Sequence, residues 1–504
     1  MSTRGPRQTL SRLHRPPIAL TVIALFAAGL RAEVSLPRIF GDNMVLQRDR
    51  PVPVWGRAAP GEEVIVRFAG REHRVRADAN GNWRLALEAL AASAVPQEMT
   101  VADADVIRLR NILIGEVWLC SGQSNMEYAV GVAKPWASPA ATADPELAQE
   151  LAGPPLPALR LFRVEKKREP PDVVSAGWHE AAGDARNAFS AVGYYFARCL
   201  RRELGVPVGV IQAAWGGSRI EEWTPADAYA KLAAVFTGEA AASFERDPAW
   251  VGRNYDAMVR PLAPYALRGV IWYQWESNLI AYNDGLRYAD KLGVLIDAWR
   301  TAWRETAAGA DRALPFYSVQ IAPYRYTGRP DPLPHSAEDL PRLWEAQAAA
   351  LRLPHTGLVP TTDLVDDLGE IHPAHKREVG ERLAALALSD TYDRKGFSWA
   401  GPMFARLEIR GATAVVHFAN PGAGLVSRND KPLTDFEIAG TDGRFVPAEA
   451  VIRGDTVVVA NPRVPAPVAV RFGWSETARP NLMNRAGLPA YPFRSNAPVW
   501  SRYS

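Results

Sequence analysis

Five short, uninterrupted apolar runs punctuate the middle of the chain, and helix-length amphipathic stretches separate them. The runs are Glu116–Cys120, Val208–Ala213, Val270–Tyr273, Phe316–Ile321 and Leu358–Thr362; the stretches are Ala188–Leu204, Leu286–Arg304, Pro341–Leu353 and Lys376–Leu388. A strand that is apolar along its whole length must be covered on both faces, as in a parallel sheet wrapped by helices. The alternation therefore predicts an α/β fold, a doubly wound parallel sheet spanning residues 114–395. Sheets of this kind bind ligands outside the carboxyl ends of their strands.

On either side the pattern becomes β-like. Residues 33–113 alternate short runs such as Pro53-Val54-Trp55 and Val64-Ile65-Val66 with the turns Ala59-Pro60-Gly61-Glu62 and Asp78-Ala79-Asn80-Gly81. Residues 396–504 offer Leu407–Ile409, Ala414–Phe418, Phe436–Ala439 and Thr456–Ala460. Each flank predicts a β-sandwich region. The Ala- and Pro-rich run Ala133–Pro157 reads as a long surface loop.

The first 32 residues carry a basic stretch, an apolar run Pro16–Leu30, and then Leu30-Arg31-Ala32. This is the pattern of a secretory signal cleaved near Ala32, the alternative being an uncleaved anchor. The apolar run is short for a bilayer-spanning helix, which needs about 20 residues. The mature chain is thus expected to be secreted or periplasmic, without stable membrane insertion. The segment also explains the charge: it holds five arginines and no acid, so the formal +3 becomes −2 once those five are removed. A near-neutral body lacks the basic footprint that nucleic acid requires. Two cysteines, Cys120 and Cys199, are too few for a disulfide framework and are expected to be buried free thiols.

Polar residues collect at the strand ends. The first run leads into Ser121-Gly122-Gln123-Ser124-Asn125-Met126. A serine on such a turn either caps the following helix or exposes its hydroxyl as a nucleophile, its own N–H facing an oxyanion. The second run ends in Trp215-Gly216-Gly217-Ser218, a plain tight turn or a source of free backbone donors. The third ends in Tyr273-Gln274-Trp275-Glu276-Ser277-Asn278, where the Gln274 amide either bridges loops or supplies a third oxyanion donor. Before the last helix comes Gly369-Glu370-Ile371-His372-Pro373. Pro373 biases His372 toward extended backbone, and residues two apart in such a segment share a side, so Glu370 is placed to orient the imidazole. No H-E-x-x-H, paired-cysteine or Walker pattern occurs, so neither a metal nor a cofactor is expected. Gly-x-Ser-x-Gly fails at Asn125-Met126, against an α/β-hydrolase elbow.

The run Gly115–Met126 resembles the nucleophile block of the sialate O-acetylesterase family, a branch of the SGNH/GDSL serine esterases with a flavodoxin-like sheet. The similarity continues through Asp42–Arg48, Ala214–Ser218, Trp272-Tyr273-Gln274, Ile371-His372-Pro373 and Gly487–Arg494. The resemblance implies Ser124 as nucleophile and His372 as its base. The Ser124 and Gly217 N–H groups, with the Gln274 amide, would form the oxyanion hole. It implies a cofactor-free esterase that removes acetyl groups from an O-acetylated glycan, sialic acid before xylan. Trp215, Trp275, Glu276 and Asn278 are expected to contact substrate. Two positions depart from the family pattern: Trp275 stands where glycine is common, and Glu370 where aspartate is frequent. Trp275 is expected to line the pocket and restrict it to small acyl groups. The rival readings are a glycan-binding protein with a disabled centre and a glycosidase using Glu222, Glu276 or Asp363. Oligomeric state is not fixed by the sequence.

Overall fold

The computed structural model describes residues 33–103, 105–131, 145–236, 248–306, 314–329 and 333–497, besides residues 1, 2 and 5. The expected signal therefore falls almost wholly outside the described residues.

Among the described residues, the main path of an eleven-stranded central sheet runs through seven strands: β1 (Val106–Gly122), β2 (Leu156–Arg163), β3 (Trp178–Ala181), β4 (Val208–Ala214), β5 (Gly269–Tyr273), β6 (Phe316–Val319) and β7 (Thr356–Val359). Their spatial order is β7-β6-β5-β1-β4-β2-β3. All neighbours are parallel except the edge pair β2–β3. β4, β5, β6 and β7 are buried at every position, which is why their sequences read as continuous apolar runs. The sheet is thus a mixed one at the heart of an α/β fold.

Helices α1 (Ala191–Leu204), α2 (Arg287–Thr306), α3 (Asp339–Ala349) and α4 (Lys376–Asp390) lie within a few residues of the amphipathic stretches. Ser190 caps α1 by accepting the Gly193 N–H, and Gly205 ends it in the left-handed region. β2 and β3 escaped the sequence reading. The expected loop Ala133–Pro157 lies partly outside the described residues; its later half forms a helix, Pro145–Ala152, and the start of β2.

β1 is a single strand shared by two sets of partners. Its first half pairs with Ser93–Ala102, and its last residues pair with β4 and β5. The expected boundary at residue 113 falls inside it, and one apolar core runs from Val54 and Val66 through Leu119 to Leu386. Among the described residues, the C-terminal region has two four-stranded antiparallel sheets and a two-stranded one around a separate core containing Val416, Val457, Ile438 and Phe472. It grips the α/β region at several points. Glu476 accepts the Tyr326 N–H at 2.7 Å, Arg479 donates to Asp366 O at 3.0 Å, and the Tyr491 hydroxyl donates to Leu358 O. Cys120 and Cys199 are both buried and free. Among the described residues, no helix is long and apolar enough to cross a membrane.

Glu116, in the middle of β1, is fully buried. Its carboxylate receives Arg48 Nε at 2.5 Å, Arg268 Nε at 2.7 Å and Gln47 Nε2 at 3.0 Å. Burial works to raise its pKa, but Arg268, Arg48 and Gln47 outweigh it and hold the group below the ordinary carboxylate value. A carboxyl depressed in the folded state contributes stability above the carboxylate range and loses it as pH falls through its folded pKa. Glu116→Ala strands two mostly buried guanidinium groups. Urea unfolding at neutral pH should show a loss of about 3 kcal/mol, and the gap to wild type should close in acid.

Candidate active site

Gly122 makes the turn after β1 possible. Its φ is +139°, and a Cβ there would lie 2.1 Å from Tyr273 O, so the ends of β1 and β5 approach closely only around glycine. The Gln123 N–H then donates to Tyr273 O at 2.9 Å. Gln123 is extended (φ −112°, ψ −151°), and Ser124 opens the short helix Ser124–Glu127. The serine is thereby lifted to the carboxyl edge of the sheet, where it is partly exposed.

His372 arrives from the segment between β7 and α4. Its Nε2 lies 2.9 Å from Ser124 Oγ. Glu370 Oε1 accepts the His372 backbone N–H at 2.7 Å and stands 3.4 Å from Nδ1. Serine, imidazole and carboxylate thus meet in the order that nucleophilic catalysis needs. His375 is turned elsewhere, to Asp366 at 2.9 Å, and Glu378 and Asp366 together raise it to about 8 against its burial.

Gly217 follows β4 at φ +76°, exposed, in a conformation natural to glycine. Among the described residues neither its N–H nor that of Ser124 meets a protein acceptor. The adjacent Gly216 N–H is taken by Glu127 Oε2 at 2.7 Å, and Glu127 in turn pairs with Lys166 at 2.8 Å. Glu127 escaped the sequence reading, although it lies three residues past the serine on the same helical turn. A cleft of about 710 Å³ adjoins it, lined by Glu127, Arg163, Lys166, Asp184, Asn187 and Ala214, among others. That size accommodates a small ligand.

The third strand end departs from expectation. Gln274 is fully buried, and its Nε2 faces Gln123 Oε1 (3.0 Å), Ser218 O (3.2 Å) and Asn278 Oδ1 (2.8 Å). With its two hydrogens engaged and its oxygen accepting the Tyr288 hydroxyl, this amide is a loop bridge and no oxyanion donor. Trp275 is fully buried with its ring centroid 3.9 Å from that of Tyr288, so it belongs to the core and not to the pocket wall. Asn278 is fully buried and donates to Glu221 and Asp284, each at 2.9 Å. Glu276 is buried and accepts Asn125 Nδ2 at 2.5 Å. Neither faces a substrate. The cause is common to all four: the turn after β5 folds inward, because Gln123 Oε1 also receives the Trp275 and Ser277 N–H groups. Trp215 stays half-buried, with the Arg168 guanidinium 3.8 Å above its ring.

Of the carboxylates of the glycosidase alternative, Glu222 and Asp363 are held by arginines, and Glu276 is buried with one oxygen taken by Asn125. Arg253 and Arg168 hold Glu222 at 2.8 and 3.4 Å. Arg382 grips Asp363 through two bonds of 2.8 and 2.6 Å. Among the described residues, no group of three or more His, Cys, Asp or Glu side chains could hold a metal ion.

Comparison with known proteins gives a consistent answer. The family model for carbohydrate esterases, sialic acid-specific acetylesterase, matches residues 114–389. A crystal structure of a carbohydrate acetylesterase from Xanthomonas citri is 35% identical, with a TM-score of 0.79, over 92% of this chain and all of that one. Sialate O-acetylesterases from Pongo abelii and Homo sapiens are 27% and 26% identical, each over 90% of both chains.

The buried ring of Trp275 yields a direct test. Trp275→Ala should cost about 3–5 kcal/mol of stability, as for other large core aromatics. Preference among acetyl, butyryl and hexanoyl esters should stay as in wild type. A thermal melt and the three ester rates check both parts.

Proposed function

We propose, on the premise that this chain belongs to the sialic acid-specific acetylesterase family of carbohydrate esterases, that it removes O-acetyl groups from a glycan by serine catalysis on an SGNH-type sheet, with sialic acid the acetyl bearer. The observation that carries the mechanism is the 2.9 Å approach of Ser124 Oγ to His372 Nε2, beside two unengaged backbone donors. Ser124 Oγ attacks the acetyl carbonyl while Nε2 takes its proton, and Glu370 holds the Nδ1 side of the ring. The Ser124 and Gly217 N–H groups receive the oxyanion. As the intermediate collapses, the sugar oxygen leaves with the proton from Nε2, and an acetyl-enzyme remains. Water then gives a proton to Nε2 and attacks the acetyl carbon. Collapse returns that proton to Ser124 and releases acetate.

A sialate carries a carboxylate. Arg219 follows Gly217 by two residues, and Arg168 stacks on Trp215, with Arg253 sharing Glu222 beside it. Arg168 and Arg253 share the one carboxylate of Glu222, and the positive charge left over beside Trp215 supports an anionic sugar over a neutral xylan. The basic and apolar opening of the sequence supports export.

Acetate release from acetylated sialic acid and acetylated xylan by wild type and variants tests the reading. Ser124→Ala and His372→Ala should each lower kcat by about 10³-fold or more, and the double variant by little beyond that, since the pair acts as a unit. Retained turnover in Ser124→Ala would overturn it. Glu370→Gln should keep the fold and slow turnover by about tenfold or more.

A further inference from the structure

Lys376 is the first residue of α4, and it is buried. A cation at a helix N-terminus opposes the helix dipole, and an ammonium deprived of water is costly anywhere. Burial indeed lowers its pKa to about 7, against the pull of Glu276, Glu370 and Glu378. A residue so expensive at this position must make bonds that nothing cheaper supplies. Its Nζ donates to Pro373 O, and the ammonium lies 4.8 Å from the ring centre of Tyr128 and 5.9 Å from that of Tyr273.

Pro373 follows His372. The carbonyl on the other side of the histidine, Ile371 O, accepts Asn125 Nδ2 at 3.1 Å. Asn125 follows Ser124, and its amide is fixed in turn by Glu276 Oε1 at 2.5 Å. Both carbonyls flanking the imidazole are therefore gripped by side chains. One grip comes from the turn that carries the serine, the other from the helix that follows the histidine.

We propose that Lys376, and Asn125 held by Glu276, are positioning residues that set the distance between Ser124 and His372 by fixing Pro373 O and Ile371 O. The inference rests on the serine–histidine reading. Glu276, unlike the substrate contact its strand-end position suggests, acts from behind the site. The His372 segment is otherwise irregular backbone, and its ring has little sheet or helix to hold it. A misplacement of about 1 Å between two such groups is enough to cost about 10²-fold in rate.

The test compares Lys376→Met, Asn125→Ala, Glu276→Ala and Glu276→Gln with wild type on 4-nitrophenyl acetate. A fluorophosphonate titration of Ser124 expresses each kcat per folded site. Lys376→Met and Asn125→Ala should each lower kcat at least about tenfold, with KM within about twofold of wild type. Glu276→Gln, which keeps an acceptor for Asn125, should retain clearly more of kcat than Glu276→Ala. Should Lys376→Met fail to fold, Asn125→Ser tests the other grip, since its hydroxyl is too short to join Glu276 to Ile371 O, and wild-type kcat per titrated site there overturns the positioning role. Wild-type kcat per titrated site in the Lys376 and Asn125 variants, with Ser124→Ala inactive, overturns the positioning role alone. Activity persisting in Ser124→Ala overturns the reading beneath it.

Discussion

The molecule is organised by one strand that belongs to two neighbourhoods. β1 starts against an antiparallel partner, Ser93–Ala102, and a parallel one, Val45–Gln47, in the N-terminal region and ends between two parallel strands, carrying the serine turn at its tip. Glu116 sits where the change occurs, and its ligands come from both sides: Gln47 and Arg48 from the N-terminal region, Arg268 from the approach to β5. A buried carboxylate tolerates this place only because every lone pair is met. Pulling the N-terminal region away would leave charges without partners, so the register of β1, and with it the height of Ser124 above the sheet, is fixed from afar.

Much of the α/β region was legible because burial on both faces leaves a composition signature that needs no tertiary knowledge. β4, β5 and β6 fall at or within a few residues of their apolar runs for that reason. β2 was missed because Leu156–Arg163 carries two arginines and a proline, and Arg160 is buried through bonds to Asn43, Asn111, Pro157 O and Glu180 that sequence cannot foresee. The antiparallel strands Phe436–Ala439 and Thr456–Ala460 were legible from their punctuation by Gly-Asp turns.

At the site, the serine and histidine were readable because strand-end position and a following proline restrict where the backbone can point. The direction of side chains past β5 was not readable. Nothing local distinguishes a glutamine that faces solvent from one whose amide bridges Gln123, Ser218 and Asn278; that depends on a neighbour 151 residues away. The same holds for Trp275, whose partner is Tyr288 on α2. A residue that departs from a family pattern invites a functional explanation, yet here a large ring is simply accommodated by the core.

The C-terminal clasp bears on the order of events during synthesis. His372 sits between Asp366, whose carbonyl is held by Arg479, and α4, and the strand leading to it is held at Leu358 by Tyr491. The ribosome therefore releases the serine turn, His372 and most of the apolar core before Arg479 and Tyr491, the two outer fastenings of this stretch, exist. A nascent chain stopped near residue 470 would carry Ser124, Glu370 and His372 and lack those fastenings. The last segments to be made are thus the ones that pin both ends of the His372 stretch to the rest of the molecule.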